Sequence, residues 1–207
     1  MGEIEEFDGD RVFYTSDTHF YHEAIIKFCH RPFTDKKDMN EKLIENWNSV
    51  VKPSDIVFNL GDFARKCSMN DWIDIRSRLN GKIYLILGNH DPTAFHANGF
   101  KSLLFEEVIT HKTIKINNRI IHMHHYPYLC SAGSYRNEIQ LFGHLHLAPN
   151  STGLDTPRAE FMLPTQYDVG VDLNEYKPIS HEEVIFRVDK QIKENSNVKM
   201  WMNLNEK

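Results

Sequence analysis

Three hydrophobic segments in the first half of the chain end in aspartate, asparagine or histidine. The polar residues that follow them are Asp17-Thr18-His19, Gly61-Asp62 and Gly88-Asn89-His90-Asp91. Helical patterns separate the three segments, which predicts strand–helix–strand units with parallel strands. The carboxyl ends of parallel strands meet along one edge of a sheet, where open sheets of this kind bind ligands. The first half of the chain therefore predicts a polar site at that edge.

Asp62 follows directly on the apolar stretch that contains Ile56, Val57, Phe58 and Leu60, so something must stabilise its carboxylate at the end of a buried strand. Burying an unpaired carboxylate is costly. Either Asp62 caps the following helix, or a cation binds to it. Asp17 allows the same two interpretations when taken alone. The second half adds His124-His125 and Gly143-His144-Leu145-His146 after further β-rich segments. The combination of all five stretches favours a metal site.

The sequence pattern predicts an α/β half followed by an antiparallel half, giving two β-sheets packed as a sandwich with helices outside. Expected strands are Arg11–Asp17, Asp55–Leu60, Lys82–Gly88, Ile139–His146 and Tyr167–Leu173, with a hairpin turning at Asn117–Asn118. Expected helices are His22–Cys29, Met39–Val51, Ser68–Leu79 (opened by a Ser68/Asp71 capping box) and Ser180–Glu194. Residues 147–164 are expected to form a loop. We predict one domain over residues 1–207, with a core at about 11–190 and a tail at about 191–207.

Composition excludes several classes of protein. The net charge of −5 argues against an extended nucleic-acid-binding surface, although a small nucleotide held by a metal remains compatible with it. The three cysteines are widely spaced and odd in number, which argues against a disulfide framework and favours a reducing cytoplasm. No apolar run approaches the roughly 20 residues of a membrane span, and the acidic N-terminus lacks a signal-peptide core. We therefore expect a cytoplasmic protein without a membrane partner.

The ordered motifs resemble those of the calcineurin-like metallophosphoesterase superfamily. They are Asp17-x-His19, Gly61-Asp62-x-x-Arg65, Gly88-Asn89-His90-Asp91, a histidine before Tyr126-Pro127, and Gly143-His144-x-His146. The resemblance runs from about Arg11 to Asp172. The stretches DTHFYHEAIIKFCHRPF and VGVDLNEYKPIS are similar to a small bacterial and phage-type branch. The family's fold, two mixed sheets packed as a sandwich and flanked by helices, agrees with the organisation expected above.

The resemblance implies two divalent metal ions. Asp17, His19 and His146 would bind one ion; Asn89, His125 and His144 would bind the other; and Asp62 would bridge both. Asp, Asn and His donors without thiolate suit Mn²⁺, Fe, Zn²⁺ or Ni²⁺ more than copper or an iron–sulfur cluster. Mn²⁺ is the expected ion, with Fe, Zn²⁺, Ni²⁺ and Mg²⁺ as alternatives.

One ligand position has three candidates, His122, His124 and His125. On an extended strand His122 and His124 share one face, and His125 lies on the other. The family's His-Tyr-Pro pattern selects His125, with His124 as the alternative and His122 as a strand-surface residue. His144 and His146 are expected to alternate on one face of their strand.

The resemblance also implies the chemistry: a metal-bound hydroxide attacks phosphorus without a covalent enzyme intermediate. His90 would stabilise the transition state or protonate the leaving oxygen, and Asp91 would orient the His90 ring. Arg65, His22 and Arg31 are candidates for contacting substrate phosphate, and each is equally explained as a surface or capping residue.

The expected function is that of a binuclear metal-dependent phosphoesterase acting on small phosphate esters, chiefly phosphodiesters, with nucleotides as candidate substrates. A phosphomonoesterase with the same site is the alternative. A non-catalytic scaffold of the same fold and a structural zinc protein are further rivals. Substrate choice is expected to reside in residues 20–34 and 147–164, because loops over a fixed scaffold carry variable chemistry.

Overall fold

The computed structural model describes residues 4–91, 104–130, 133, 136, 138–148 and 155–195. The strands in this part of the chain are β1 (Glu5–Glu6), β2 (Val12–Thr15), β3 (Ile56–Asn59), β4 (Lys82–Ile86), β5 (Glu107–Ile109), β6 (His111–Ile116), β7 (Arg119–His124), β8 (Ile139–Phe142), β9 (Gln166–Asp168) and β10 (Ile179–Ser180). The α-helices are α1 (Glu23–Phe28), α2 (Lys36–Val50), α3 (Met69–Arg78) and α4 (His181–Glu194), with 3-10 turns at Gly9–Arg11 and Thr156–Phe161. None of these helices combines the length and the apolar character that a bilayer crossing requires.

The strands form two five-stranded sheets, and both are mixed. Sheet I has the order β10-β2-β3-β4-β5, in which β2 to β5 run parallel and β10 runs antiparallel to β2. Sheet II has the order β1-β6-β7-β8-β9. Two mixed sheets flanked by helices confirm the expected fold class.

The second half of the chain is not an antiparallel unit, as its sequence pattern had suggested. Only the β6–β7 hairpin is antiparallel among the pairs described in sheet II, while β7, β8 and β9 run parallel. The connection over residues 125–138 is long enough to return the chain to the same end of the sheet, as a parallel pair requires. The carboxyl ends of β7 and β8 therefore lie side by side.

Side-chain alternation along the strands of sheet I builds two hydrophobic layers. Val57, Ile83 and Leu85 pack against α1, α2 and α3 in one layer. Their strand neighbours, such as Phe58 and Ile86, face the opposite way and pack against sheet II. Period-2 alternation in a strand with two buried faces produces this arrangement. Helix α4 adds to the second layer and covers one flank of it.

Element boundaries differ from expectation where capping or special backbone geometry intervenes. Helix α2 begins at Lys36, three residues before the expected Met39, because the Asp35 side chain accepts hydrogen bonds from two backbone N–H groups of its first turn. The expected Ser68/Asp71 capping box opens α3. The hairpin turns at Asn117, whose φ of 54° suits a tight hairpin turn.

The ends of the folded core also differ from expectation. Strand β1 pairs with β6, so the core begins before residue 11. Helix α4 ends at Glu194, as the sequence pattern predicts, and Ile192 near its end packs in the layer between the sheets, beyond the expected core limit at about residue 190. The expected tail from residue 196 onward lies outside the described residues. The same holds for residues 149–154 of the expected loop, whose described remainder contains the 3-10 turn at Thr156–Phe161.

Candidate metal centre

Five loops meet at one edge of the sandwich, each at the carboxyl end of a strand. Three follow the parallel strands β2, β3 and β4 of sheet I, and two follow the parallel neighbours β7 and β8 of sheet II. The expected convergence of strand ends is therefore present. The structure brings together the side chains Asp17, His19, Asp62, Asn89, His125, His144 and His146.

Left-handed backbone conformations are concentrated in these loops. The residues are Asp17 (φ 57°), His19 (φ 50°), Asp62 (φ 53°), His144 (φ 70°) and His146 (φ 49°). Residues other than glycine rarely adopt such angles, and Asp and His do so more readily than most. Strained backbone of this kind is typical of functional sites. The left-handed angles at His144 and His146 are incompatible with a strand, so β8 ends at Phe142. The two histidines therefore lie in a loop, whereas the sequence pattern had placed them on one face of a strand.

Asp62 lies at the centre of the site and does not cap a helix. Its Oδ2 is 3.4 Å from Nε2 of His19 and 3.7 Å from Nε2 of His125. Its Oδ1 accepts a hydrogen bond of 2.8 Å from the backbone N–H of His90. Helix α3 is capped by Ser68 instead. The carboxylate is buried among imidazole nitrogens, which excludes the helix-cap interpretation.

Asp17 has an equivalent position on the neighbouring loop. Its Oδ2 accepts a hydrogen bond of 2.9 Å from the backbone N–H of His144, and its Oδ1 lies 3.7 Å from Nε2 of His146. The residue at the N-cap of α1 is His22. Asp17 is therefore not a helix cap either.

Potential ligand atoms form two groups, of which the first contains the three residues expected for one ion and the second joins His125 and Asp62 to Asp17. Atoms of Asp17, His19 and His146 all lie within 4.8 Å of one another, as do atoms of Asp17, Asp62 and His125. Asn89 completes the second set, because its Oδ1 is 3.0 Å from Nε2 of His125 and 3.0 Å from Nδ1 of His144. The two groups are continuous through the carboxylates of Asp17 and Asp62.

The donors fit divalent cations. Within the part of the chain that the structure describes, Oδ1 of Asp17 and Nε2 of His19 are buried and have no hydrogen-bond partner. A buried polar atom left unpaired costs about 1–3 kcal/mol. Both atoms are natural ligands, and a set of carboxylate, amide and imidazole donors suits the first-row divalent ions named above. A cation would satisfy both atoms.

Two glycines allow the loops to approach this closely. Gly61 has φ 102°, and a Cβ there would lie 2.7 Å from Nδ1 of His125. A Cβ on Gly88 would lie 2.6 Å from the backbone nitrogen of Asp62. Side chains at these positions would push the β3 and β4 loops apart, so the glycines preceding Asp62 and Asn89 are required by packing.

Of the three candidate histidines on the hairpin, the structure brings His125 to the site. His125 is fully buried and lies against Asn89 and Asp62. His124 lies outside the cluster, where its Nδ1 accepts a hydrogen bond of 3.1 Å from the backbone N–H of Tyr126. His122 contacts Glu138, with Nε2 2.7 Å from Oε2. The geometry therefore favours His125 over His124.

Burial governs the ionisation of the cluster in the metal-free protein. It raises the pKa of Asp62 to about 7, against the opposing effect of His125. It also holds the pKa of His19 well below its usual range, with His146 adding to the effect. Burial and the Arg65 guanidinium lower the pKa of His90 to about 4. His19 and His90 are therefore neutral near pH 7.

Asp91 has a different position from the one expected. Its carboxylate accepts hydrogen bonds from the backbone N–H groups of Asp62 (2.8 Å), Phe63 (2.9 Å) and Gly88 (2.9 Å). All of these are main-chain contacts, so Asp91 ties the β3 loop to the β4 loop. The His90 ring instead contacts Arg65, with Nε2 3.1 Å from Nη1. The expectation that Asp91 orients the His90 ring is therefore wrong.

Arg31 also differs from expectation, because it does not line the site. Its Nε and Nη2 donate to the two carboxylate oxygens of Asp172, both at 2.8 Å. The same guanidinium donates to the carbonyl oxygens of Asp17 (2.7 Å) and Thr18 (3.0 Å). Both side chains of the pair are 0% exposed. Arg31 therefore stabilises the loop after β2, which carries Asp17 and His19, and its guanidinium is not available to substrate phosphate.

Sequence reasoning missed Asp172 as a site residue. Its Oδ2 lies 2.7 Å from Nδ1 of His146, which leaves Nε2 of His146 facing Asp17. Asp17 and Asp172 hold the pKa of His146 well above its usual range, although burial alone would lower it. The signal was present in the stretch VGVDLNEYKPIS, where Asp172 stands among the residues that resemble the family branch.

Cys29 lies within 4.8 Å of this pair as well, but Arg31 neutralises Asp172, so these three residues make a poor cation site. We therefore regard the trio of Cys29, His146 and Asp172 as support for His146.

The site opens into a cavity of about 510 Å³. His22 and Arg65, two of the three candidate substrate contacts, line it. Nδ1 of His22 lies 3.2 Å from Nδ1 of His19. The other lining residues are His19, Ile25, Phe28, Cys29, Asp62, Asn89, His90, His144, Leu145, His146 and Asp155. The volume is in the range of small-molecule sites.

The fold and the site together define a metal-dependent phosphoric ester hydrolase. A family model described as calcineurin-like phosphoesterase matches residues 11–173, which is most of the chain, and the chain belongs to this family. The resemblance expected from about Arg11 to Asp172 is thereby confirmed.

Individual proteins are also similar to this chain over much of its length. The chain is 32% identical over 188 residues to an uncharacterized protein of Methanocaldococcus jannaschii, covering 87% of this chain and 92% of the relative. It is 27% identical over 136 residues to the gene 66 protein of Mycobacterium phage L5, covering 57% and 64%. A solved structure of a protein of unknown function from Aquifex aeolicus has a TM-score of 0.62 and 27% identity, covering 84% of this chain and 97% of that one.

Proposed function

We propose that this chain is a binuclear phosphodiesterase that acts on small phosphate esters, with nucleotides among its substrates. The observation that carries the proposal is the ring of Asp, Asn and His donors around Asp62, facing a cavity that also contains Arg65 and His90. Family membership supports ester hydrolysis. The preference for diesters and the number of ions are part of the proposal.

Each cation has its own ligands in this proposal, and Asp62 is shared. Asp17, His19 and His146 hold one ion, and Asn89, His125 and His144 hold the other. The short distances within each set support this division. Mn²⁺ is the proposed ion, with Fe, Zn²⁺ or Ni²⁺, which suit imidazole donors, and Mg²⁺, which suits the carboxylate and amide oxygens, as alternatives. When bound, such ions would supply an activated water near neutral pH and stabilising charge for the oxygens of an in-line displacement.

Arg65 and His90 supply the protein's own contribution at the phosphoryl group. Both line the cavity, and they lie 3.1 Å apart across the β3 and β4 loops. A guanidinium binds phosphate oxygens through charge-assisted hydrogen bonds. In this proposal His90 stabilises the charge that develops in the transition state, and Arg65 orients the His90 ring. Asp91 keeps both loops in register through its three backbone contacts.

Cavity size supports a diester. A volume of about 510 Å³ accommodates a phosphoryl group with two ester substituents. His22, beside His19 of the donor ring, and the exposed ring of Phe28 also line the cavity and offer contacts to the second substituent. A monoester would leave much of this volume filled with water.

The test compares turnover of bis(p-nitrophenyl) phosphate and p-nitrophenyl phosphate by protein loaded with Mn²⁺. We expect a higher kcat/KM for the diester. Asp62→Asn should abolish turnover of both substrates. Asp74→Asn, an exposed carboxylate on α3, serves as the matched control and should leave turnover unchanged.

Three outcomes would contradict parts of the proposal. Preference for the monoester would replace the diesterase by a phosphomonoesterase. Full activity of Asp62→Asn would contradict the shared ligand. Absence of turnover on both substrates, with both ions bound, would favour a non-catalytic scaffold of the same fold.

A further inference from the structure

A second cavity of about 350 Å³ lies beside the metal centre and is lined by three lysines. We call it the lysine pocket. Its lining residues are Tyr21, His22, Glu23, Ala24, Lys27, Lys36 and Lys66. The lysines come from three separate segments, since Lys27 lies on α1, Lys36 opens α2, and Lys66 follows the β3 loop. The fold therefore brings together three lysines that lie apart in the sequence.

The three lysines are not neutralised by nearby carboxylates. Among the described residues none of them forms an ion pair. The Glu23 carboxylate is the single acidic group in the lining, and its Oε2 accepts a hydrogen bond of 2.9 Å from the backbone N–H of Lys36. Asp71 does not line the pocket; its carboxylate is hydrogen-bonded to Ser68, and these bonds, with a smaller effect of Lys36, lower its pKa. The pocket therefore keeps a positive surplus on a chain whose net charge is −5.

The lysine pocket adjoins the catalytic cavity. His22 lines both. Arg65 lines the catalytic cavity while the next residue, Lys66, lines the lysine pocket. The loop that carries both is fixed, because the backbone N–H of Arg65 donates to the carbonyl oxygen of Phe20 at 3.0 Å. Consecutive cationic residues thus line the two neighbouring cavities.

The ligand chemistry that fits this pocket is a phosphate dianion. Lysine ammonium groups bind phosphate as point charges, and several of them around one concavity repel one another until an anion is bound. We infer that the lysine pocket binds a second phosphate group of the substrate, so that the preferred substrates are phosphodiesters that carry an additional terminal phosphate. This inference rests on the proposed phosphodiesterase function and narrows its substrate class.

Two thymidine derivatives that differ by one phosphate test the inference. They are the p-nitrophenyl ester of thymidine 5′-phosphate and the same ester with a 3′-phosphate added. For protein loaded with Mn²⁺ we expect the added phosphate to raise kcat/KM about tenfold or more, chiefly through KM, as for one charged hydrogen bond. In the Lys27→Ala/Lys66→Ala variant the ratio between the two substrates should fall to about one. Lys37→Ala, an exposed lysine outside the pocket, is the matched control and should keep the ratio.

A binding measurement makes the test independent of turnover. Calorimetry should show tighter binding of thymidine 3′,5′-bisphosphate than of thymidine 5′-phosphate, and the double variant should lose that difference. An equal affinity for the two nucleotides, or a ratio that survives in the double variant, would overturn the lysine pocket while leaving the phosphodiesterase in place. Absence of turnover on every ester, together with a preserved difference in binding, would instead overturn the proposed function and keep the pocket.

Discussion

Replacing Arg31 by methionine tests how the metal loops are held. The guanidinium lies beneath the site, where it donates two hydrogen bonds to the Asp172 carboxylate and two to the carbonyl oxygens of Asp17 and Thr18. Methionine has a similar length but no donor. The variant would leave a fully buried carboxylate with one partner, His146, and two carbonyl groups without their side-chain donor.

The expected cost follows from this burial. Removing one partner of a fully buried ion pair typically costs about 3–5 kcal/mol. Total stabilities of natural domains are about 5–15 kcal/mol, so the loss is a large share of the total. Burial alone would raise the pKa of Asp172, but Arg31 and His146 outweigh it and lower the pKa to about 2. Without the Arg31 guanidinium, the charged form of Asp172 would lose the largest effect that opposes its burial.

The assay is urea denaturation with EDTA present, so that metal binding does not contribute. We expect the midpoint to fall with an unchanged slope. Arg78→Met is the matched control, because the Arg78–Glu41 pair is 36% and 53% exposed and such pairs contribute about 0–1 kcal/mol. The double variant Arg31→Met/Asp172→Leu should recover part of the loss, since it removes the uncompensated charge. A loss below about 1 kcal/mol in Arg31→Met would refute this reasoning.

Three further predictions concern catalysis, pH and metal affinity. His90→Ala should retain its ions, measured by elemental analysis, and lose about 10²–10⁴ in turnover, since His90 lines the cavity without belonging to either ligand set; intact activity would show that the role assigned to His90 is wrong. Burial, with Asp17 adding to it, raises the pKa of Asp168 from 3.8 to about 7, so the folded state binds a proton that the unfolded chain has released, and the contribution of Asp168 to stability falls as pH rises from about 4 to about 7. In calorimetric melting of metal-free protein, the Tm of the wild type relative to that of Asp168→Asn should therefore be higher near pH 5 than near pH 8; a difference in Tm that is the same at both pH values would exclude this role of Asp168. Asp172→Asn should weaken metal binding by about 10–100-fold in calorimetric titrations, because Asp172 orients His146; unchanged affinity would show that His146 needs no such support.

Much of the site could be predicted because it follows from local rules. Apolar segments that end in Asp or Asn mark the carboxyl ends of β2, β3 and β4, and parallel strands align those ends at one edge. The continuous apolar run Ile56-Val57-Phe58 is typical of a strand buried on both faces, and Val57 and Phe58 pack in opposite layers. The capping box of Ser68 and Asp71 predicts the start of α3. Each of these depends on neighbours in the sequence.

The parts that could not be predicted depend on contacts between distant segments. Arg31 and Asp172 are separated by 141 positions, and only the fold shows that they pair. The family resemblance implied that Asp91 contacts the His90 ring, yet its carboxylate accepts hydrogen bonds from backbone N–H groups of the neighbouring loop. The spacing of His144 and His146 matches a strand, but left-handed angles at both residues place them in a loop.

The central claim is that two cations share the carboxylate of Asp62, and anomalous diffraction from crystals grown with Mn²⁺ tests it most directly. The account predicts two manganese peaks on either side of Asp62, one beside Asp17, His19 and His146, and the other beside Asn89, His125 and His144. A single peak, or peaks that do not touch Asp62, would contradict it.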